Sequence, residues 1–267
     1  MKTQIGFIGV GNMGYAIIKG ISESNLSESI GLYAYDMDSE KLKRTEKFGV
    51  VSCRSEAEVV EKCKYVFLAV KPQGFEPVLN AIKNSVDDDT VLVSIAAGIT
   101  AEYIKSKTVE NAKVILTMPN TPLLLGEGAT ALSKAKPVTD DEFELICDIF
   151  ASCGIAVRIA KDKMKEVIAV NSSSPAFIYL FAKGFVEYAD SVGISEDAAK
   201  QLFAKALIGS AKMITDSGYS IDELIKMVSS PGGTTLAGLD ELYKGELTET
   251  VKKACESCTR RAYELSK

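Results

Sequence analysis

Three glycines near the start of the chain have a spacing that suits phosphate binding. Gly9, Gly11 and Gly14 form a GxGxxG pattern within IGFIGVGNMGYAI, between a predicted strand and a predicted helix. The first glycine permits a tight turn, the second lets a pyrophosphate approach the backbone, and the third allows close packing of helix on strand. The helix N-terminus also attracts phosphates. The pattern therefore predicts a dinucleotide-binding turn made by Gly9, Gly11, Asn12, Met13 and Gly14.

A carboxylate lies at the end of the second predicted strand, 22 residues after the last of these glycines. Asp36 at this place can accept hydrogen bonds from the adenosine ribose and repel a 2′-phosphate, which favours NADH over NADPH. Two alternatives stay open. Asp36, Asp38 or Ser39 can cap the helix that follows, and basic residues of that helix, among them Lys41, can bind a phosphate.

Two further segments follow predicted strands, at the edge where open α/β sheets bind their ligands. AVKPQ (69–73) can border the nicotinamide half of a cofactor, or it is a simple turn between strand and helix. TMPNTP (117–122) is held rigid by two prolines, and Asn120 can hydrogen-bond to backbone and ligand. The further candidates for cofactor binding are Ala69, Val70, Lys71, Pro72 and Asn120.

The chain contains no histidine. This excludes every mechanism in which histidine is the proton shuttle or a zinc ligand. Two classes of hydride transfer remain possible. In one, a lysine acts as acid and base on a hydroxy acid; in the other, the hydride is transferred to an imine. A protonated C=N bond is already electrophilic, so an imine-reducing site has mainly to position the ring, bind its carboxylate and exclude water.

The segment SSPGGTT (229–235) puts a proline, two glycines and two threonines between two predicted helices. The proline and glycines can end one helix, while Thr234 or Thr235 can cap the next. The same arrangement presents bare N–H groups at the start of a helix, which is a place that favours a carboxylate. The segment is therefore a plain turn, an anion site, or both.

Together these segments resemble the pyrroline-5-carboxylate reductase family over essentially the whole chain. The likeness rests on GFIGVGNMGYAIIKG, AVKPQ, MPNTP followed by GEGAT, and above all SPGGTT with LAGLDEL behind it. It implies that NADPH or NADH reduces the C=N bond of 1-pyrroline-5-carboxylate to give L-proline, the last step of proline synthesis. It also implies a helical domain that interlocks with a second subunit, an active site at that homodimer interface, and larger assemblies built from dimers.

The resemblance assigns roles to individual residues. Thr235 matches the position proposed to hydrogen-bond the ring nitrogen, and it is the predicted catalytic residue. The substrate carboxylate and ring would be held by residues around it. The predicted substrate-binding residues are Ser230, Gly232, Gly233, Thr234, Thr235, Val167 and Asn120.

The chain departs from the family pattern at a few positions. Where the family usually reads SGSGPAY, this chain has NSSSPAF (171–177), so that Ser172 and Ser174 replace glycines and Phe177 replaces a tyrosine. Leu116 replaces an arginine that is common just before MPN. The serines are expected to fill space left for a close helix approach, and Leu116 removes an ion pair. These changes are consistent with a divergent member that acts on a related cyclic imine.

Hydrophobic patterns divide the chain into two parts. Short apolar runs at 5–8, 32–35, 65–70, 91–95, 113–116, 129–132 and 156–159 predict strands, and amphipathic stretches between them predict helices. After residue 160 only helical patterns occur: one helix interrupted near Pro175, then helices at 195–217, 221–228, 234–244 and 247–265. The expected fold class is α/β, with a Rossmann-type dinucleotide-binding domain (1–160) followed by an all-α dimerisation and substrate-binding domain (161–267).

Composition narrows the classes of function. A net charge of −5 argues against nucleic acid or anionic membranes as partners. No apolar run reaches the roughly 20 residues of a membrane span, and the N-terminus has no signal-peptide pattern, so we expect a cytoplasmic protein. Six cysteines are expected to be buried thiols. The CxxC of Cys255 and Cys258 lies in a helical pattern, and no metal site is expected.

Two rival functions remain. A β-hydroxyacid dehydrogenase also opens with a similar glycine turn and would need a lysine base, for which Lys183 is the candidate. The glycines that accompany that lysine are missing, which favours a solvated helix residue. A non-catalytic dinucleotide-binding redox sensor would need the first half of the chain but no carboxylate pocket, and SPGGTT argues against it.

Overall fold

The computed structural model describes residues 2–266, which form two compact units. One unit contains the residues up to Ser173 together with those from Ser257 onward, and the other is Ser174–Glu256. The domain limits expected from the sequence, 1–160 and 161–267, stay a prediction.

The first unit is built on a twisted sheet of eight strands in the described part of the chain, in the order β3-β2-β1-β4-β5-β6-β7-β8. Its neighbouring strands are parallel, except that β6 and β7 are antiparallel. This confirms the predicted mainly parallel sheet. The strands are β1 Thr3–Ile8, β2 Ile30–Tyr35, β3 Val51–Ser52, β4 Tyr65–Leu68, β5 Val91–Ser94, β6 Lys113–Pro119, β7 Gly128–Lys134 and β8 Gly154–Arg158.

Helices cover both faces of this sheet, as expected for a Rossmann-type fold. They are α1 Asn12–Ser22, α2 Ser39–Glu46, α3 Glu56–Lys62, α4 Phe75–Ile82, α5 Ala101–Lys107 and α6 Asp140–Ala151. On one face, α1 and α6 bury a core in which Phe7 stacks on Phe67 with their ring centroids 4.7 Å apart. On the other face, α3, α4 and α5 pack on Ile8, Val66 and Leu68. Two buried layers thus hold the strand ends in place.

The second unit is helical, and all of its helices except the first match the predicted ones within one or two residues. They are α7 Ser174–Ser191, α8 Glu196–Asp216, α9 Ile221–Met227, α10 Thr234–Lys244 and α11 Leu247–Leu265, of which the last extends beyond this unit. The helix expected from residue 161, with an interruption or kink near Pro175, begins only at Ser174. A 3-10 turn at Lys161–Lys163 and a π-helix at Ile168–Ser173 precede α7 instead. Pro175 lies in the first turn of α7, where its missing N–H is tolerated.

The second unit buries very little apolar surface within one chain. Of its residues only Pro175, Ala189 and Ala199 are buried. Large apolar side chains are exposed along its helices, among them Ile178, Leu180, Tyr188, Leu202, Ile208 and Ile214. Many large apolar side chains exposed on one unit mark an interaction surface. Within residues 2–266 no helix combines the length and apolarity needed to cross a bilayer.

A buried ion cluster stabilises the sheet at its amino end. Glu142 of α6 is only 4% exposed. Its Oε1 accepts hydrogen bonds from Lys113 Nζ at 2.9 Å and lies 3.1 Å from Lys64 Nζ. Its Oε2 accepts the Thr139 N–H at 3.0 Å. Burial by itself raises the pKa of this carboxyl, but the hydrogen bonds from Thr139 and the two lysines outweigh it and hold the pKa at about 2.

This cluster makes stability depend on acid pH. Because the folded pKa of Glu142 is depressed, its contribution of about 3 kcal/mol is complete above pH 4.5 and is lost as pH falls toward 2. We expect Glu142→Gln to lower the free energy of unfolding by roughly that amount at pH 7. Between pH 5 and 3 the free energy of unfolding of this variant is expected to fall less steeply than that of the wild type. Urea unfolding at several pH values measures it, with the exposed Glu110→Gln as the control. Equal pH slopes in the wild type and Glu142→Gln would contradict this assignment.

Candidate functional site

The turn after β1 has a conformation that requires two of its glycines. Gly9 has a φ of +95°, and a Cβ there would lie 2.7 Å from the Ala69 carbonyl oxygen. A Cβ on Gly14 would lie 2.6 Å from the Gly9 carbonyl oxygen. Side chains at these positions would collide with backbone atoms, so these glycines close the turn and let α1 pack against it.

Gly11 has a different environment. It is the N-cap of α1, its φ is −62°, and no side chain caps the helix there. A Cβ built on Gly11 would meet no heavy atom within 4 Å. The space beside this helix start is thus left open by the protein, as expected where a pyrophosphate approaches the backbone.

A cavity of about 430 Å³ opens at the carboxyl ends of β1, β2 and β4. Six of the predicted cofactor-binding residues lie in its wall, namely Gly9, Gly11, Asp36, Ala69, Val70 and Lys71. Asn12, Met13, Gly14 and Pro72 are in the same two turns but outside the cavity lining. A dinucleotide fits this cavity, because Gly11 leaves one side open, Asp36 supplies a carboxylate and the strand ends are exposed. Contacts of the individual residues with it stay a prediction.

Asp36 is held in place by backbone N–H groups. Its Oδ2 accepts the Val10 N–H at 2.8 Å and its Oδ1 accepts the Asp38 N–H at 2.9 Å. The helix cap that was one alternative for Asp36 is made by Asp38, whose side chain accepts the Glu40 N–H. Lys41 Nζ lies 3.7 Å from Asp36 Oδ1. Asp36 therefore joins the end of β2 to the glycine turn and faces the cavity with one lysine beside it.

A second cavity, of about 530 Å³, lies at the carboxyl ends of β5 and β6 in the same unit. Leu116, Thr117 and Met118 of β6 form one wall, and the loop with Ala96 and Gly98 after β5 forms another. Sequence reasoning missed this cavity because most of its residues belong to none of the motifs. The position after β5 was the available signal. Leu116 gives the cavity an apolar wall where the family pattern has an arginine.

Charged groups surround the mouth of this second cavity. Lys161 forms an ion pair with Glu102, and Lys165 Nζ lies 4.2 Å from the centroid of the Tyr263 ring. The Tyr263 hydroxyl donates a hydrogen bond to Glu166 Oε1 at 2.9 Å. Positive and negative side chains thus surround the mouth of a cavity whose wall at Leu116 is apolar.

Asn120 uses its side chain within the protein. Its Oδ1 accepts the Ala129 N–H at 2.9 Å, and its Nδ2 donates to Asn171 Oδ1 at 3.2 Å. Its predicted contacts with cofactor and substrate stay a prediction. Val167 is partly buried and packs against the core beneath α3 to α5. The Ser172 hydroxyl, one of the departures from the family pattern, donates to the Pro119 carbonyl at 3.1 Å.

The SSPGGTT segment is a tight turn before α10. The Gly233 N–H bonds to the Ser230 carbonyl at 2.9 Å, and Gly232 has a φ of +70°. Proline followed by such a glycine is typical of a type II turn. The expected threonine cap is wrong, because α10 begins at Thr234 and Gly233 is its N-cap. A helix start without a side-chain cap leaves N–H groups for another acceptor.

The residues of the rival functions have ordinary surroundings. The side chain of Lys183 is 66% exposed on α7 and forms an ion pair of 3.4 Å with Glu187, as expected of a solvated residue. Cys255 and Cys258 are free thiols on α11. Among residues 2–266 no cluster of three potential metal ligands occurs.

A Rossmann-type sheet with a cavity that fits a dinucleotide at its carboxyl edge, followed by a helical unit, is typical of dinucleotide-dependent oxidoreductases. Comparisons with known proteins specify the family. Residues 161–265 match the model of pyrroline-5-carboxylate reductase dimerisation, and residues 4–98 match that of NADP oxidoreductase, coenzyme F420-dependent. The pyrroline-5-carboxylate reductase of Escherichia coli is 34% identical over 100% of both chains. That of Methanosarcina acetivorans is 30% identical over 100% of this chain and 99% of its own.

Solved structures agree with these matches. The pyrroline-5-carboxylate reductase of Coxiella burnetii has a TM-score of 0.92 and 29% identity, with 100% of both chains covered. The Plasmodium falciparum enzyme, solved with NADP bound, has a TM-score of 0.87 and 29% identity over 99% of this chain and 98% of its own. The chain belongs to the pyrroline-5-carboxylate reductase family, which confirms the resemblance found in its sequence.

Proposed function

We propose that this chain reduces the C=N bond of 1-pyrroline-5-carboxylate to give L-proline, the last step of proline biosynthesis. The observation that carries the proposal is the dinucleotide cavity at the carboxyl ends of β1, β2 and β4, in a chain that belongs to this family throughout its length. The absence of histidine from the sequence also suits imine reduction, which needs little acid or base from the protein.

The cofactor site is made by residues of the first unit. Gly11 leaves room for the pyrophosphate at the start of α1, and Asp36 accepts hydrogen bonds from the adenosine ribose. The backbone of Ala69, Val70 and Lys71 continues the site along the strand ends, toward the cavity of β5 and β6. A reduced nicotinamide dinucleotide bound here supplies the hydride.

The substrate site is made by the turn before α10. The N–H groups of Thr234 and Thr235 at the start of α10 hold the substrate carboxylate, because the uncapped helix start favours an anion. Thr235 is the second residue of α10, and its exposed hydroxyl orients the ring nitrogen. Solvent protonates the imine, and the threonine hydroxyl accepts a hydrogen bond from the resulting N–H. The threonine thereby positions the C=N bond for the hydride.

The functional form is a homodimer, or a larger assembly built from such dimers. Support comes from the second unit, which exposes apolar side chains such as Leu180 and Leu202, each 70% exposed. Burying such residues against a second copy gives about 25 cal/mol per Å² of apolar surface. The match of residues 161–265 to a dimerisation model supports a second copy of this chain as the partner.

Cofactor preference depends on Asp36. A 2′-phosphate beside this carboxylate is repelled, and Lys41 offsets only part of the charge, so NADH is the expected cofactor. We expect Asp36→Ser to raise the ratio of kcat/KM for NADPH to that for NADH by about tenfold, or 1.4 kcal/mol. Steady-state rates with each cofactor measure the ratio. The control is Glu40→Ser, which removes an exposed carboxylate of α2 that does not line the cavity. An unchanged ratio in Asp36→Ser would contradict the role.

The proposed activity is tested by following absorbance at 340 nm with 1-pyrroline-5-carboxylate and either NADH or NADPH. Oxidation of the cofactor that depends on the imine supports the proposal. A panel with piperideine carboxylate tests the related cyclic imine, and 3-hydroxy acids with oxidised cofactor test the lysine-based rival. Activity with the hydroxy acids alone would overturn the proposal.

A further inference from the structure

Two polar residues of the π-helix make a buried clamp on the ends of β6 and β7. The Asn171 Nδ2 donates to the Met118 carbonyl at 2.6 Å and to the Ala129 carbonyl at 2.9 Å. Ser172 Oγ donates to the Pro119 carbonyl at 3.1 Å. Asn171 is only 9% exposed, and Met118 is 5% exposed. One amide therefore bridges two antiparallel strands at the point where their ladder ends.

The backbone ladder between β6 and β7 ends at Pro119, which has no N–H to donate. Beyond it, side chains supply the hydrogen bonds. The last backbone pair joins Pro119 to Thr130. One residue further on, Asn120 Oδ1 accepts the Ala129 N–H at 2.9 Å in place of a backbone carbonyl, and its Nδ2 donates to Asn171. Asn120 and Asn171 together satisfy buried backbone groups that would otherwise lose their partners.

This clamp borders the cavity of β5 and β6, toward which the proposed cofactor site extends. Met118 lines the cavity at the ends of β5 and β6, and its carbonyl accepts the shorter of the two Asn171 bonds. In a π-helix the backbone hydrogen bonds join residues five positions apart. Such helices are rare in proteins, and those that occur are often found at functional sites. Its sequence is also where this chain departs from the family pattern, with asparagine and serine in place of serine and glycine.

We propose that Asn171 is a positioning residue for hydride transfer: it fixes the Met118–Asn120 end of β6 and with it the wall of the cavity. This inference rests on the proposed imine reduction. Asn171 acts through Met118 and Asn120 and is not assigned to substrate or cofactor. Removing its amide frees three hydrogen-bonding groups and lets the strand end shift, and misplacement by about 1 Å costs up to 10²-fold in rate.

The experiment compares Asn171→Ala with wild type at a temperature where both are folded. We expect kcat to fall by about 10- to 100-fold while the KM of the dinucleotide changes less than threefold. With cofactor deuterated at C4, the isotope effect on the hydride step is expected to increase and to become more temperature-dependent. Merely structural damage would not change that isotope effect.

The matched control is Thr90→Val at the opposite, amino end of the sheet. Thr90 is 3% exposed, and its hydroxyl donates to Asp87 Oδ1 at 2.7 Å and accepts the Asp87 N–H at 3.2 Å. Like Asn171→Ala, this change removes a buried hydrogen-bonding group and lowers stability, but it is expected to leave kcat and the isotope effect unchanged. If Asn171→Ala does not fold, Asn171→Ser and Ser172→Ala are measured in its place. Their kcat and isotope effect are expected to change in the same direction, but by less.

The outcomes separate the two proposals. No imine-dependent oxidation by the wild-type chain would overturn the proposed function and this inference with it. An active wild type with unchanged kcat and isotope effect in the folded Asn171 and Ser172 variants overturns the positioning role alone. An equal loss of kcat in Thr90→Val also overturns it, since stability would then explain the effect.

Discussion

Replacing Gly11 with valine is expected to raise the KM for the dinucleotide by about 100-fold while the protein remains folded. The reason is the open space beside this residue. A Cβ at Gly11 meets no heavy atom within 4 Å, and its φ of −62° suits any residue. The valine side chain therefore projects into the cavity where the pyrophosphate approaches the helix start. Gly11→Ala is expected to give about one tenth of the effect.

The glycine three residues further on provides the contrast. A Cβ on Gly14 would lie 2.6 Å from the Gly9 carbonyl, so Gly14→Ala is expected to lower the unfolding temperature because backbone atoms must move. Thermal unfolding without ligand and titration with dinucleotide, read by fluorescence, measure both properties. A Gly11→Val variant that binds the dinucleotide like wild type would show that the cofactor lies elsewhere.

Replacing Thr235 with alanine is expected to lower kcat by up to about 10²-fold, with little change in the KM of the dinucleotide. The loss is limited because solvent can protonate the imine. Thr235 is exposed at the second position of α10, where Gly233 and not a threonine is the cap. Its hydroxyl is thus not used to cap the helix. Thr235→Ser keeps the hydroxyl and is expected to retain most of the rate.

Thr248 offers a matched control for this substitution. It is also an exposed threonine at the second position of a helix, here α11, which begins at Leu247. Thr248→Ala tests whether losing a hydroxyl at a helix start by itself affects the rate. Stopped-flow and steady-state kinetics of the three variants measure the difference. An unchanged kcat in Thr235→Ala would refute its role, and so would an equal loss in Thr248→Ala.

Much of the architecture could be predicted because it depends on local patterns. The apolar runs that became β1, β4 and β5 are buried on both faces, and the helices of the second unit have strong periodicity and clear glycine stops. The strand β3 was missed because Val51–Ser52 is two residues long and exposed, which leaves no pattern to detect. The π-helix before α7 was missed because polar contacts, rather than periodicity, hold it.

The candidate site could be predicted only where a short motif has conformational requirements of its own, independent of tertiary contacts. Gly9, Gly11 and Asp36 follow from the conformational needs of a phosphate-binding turn and from the place of a strand end. The partners of Asn120 could not be predicted, because Ala129 and Asn171 reach it through pairing of β6 with β7 and through tertiary packing. The wall formed by Leu116 and Met118 likewise depends on where the strands end relative to each other.

The most direct test of imine reduction is to identify the product of hydride transfer. The chain is incubated with 1-pyrroline-5-carboxylate and reduced dinucleotide carrying two deuterium atoms at C4 of the nicotinamide. Mass spectrometry and NMR are then used to analyse the product. L-Proline with one deuterium at C5, formed in equal amount to the oxidised cofactor, is the predicted result. Proline without deuterium, or cofactor oxidised without any proline, would contradict the proposed reaction.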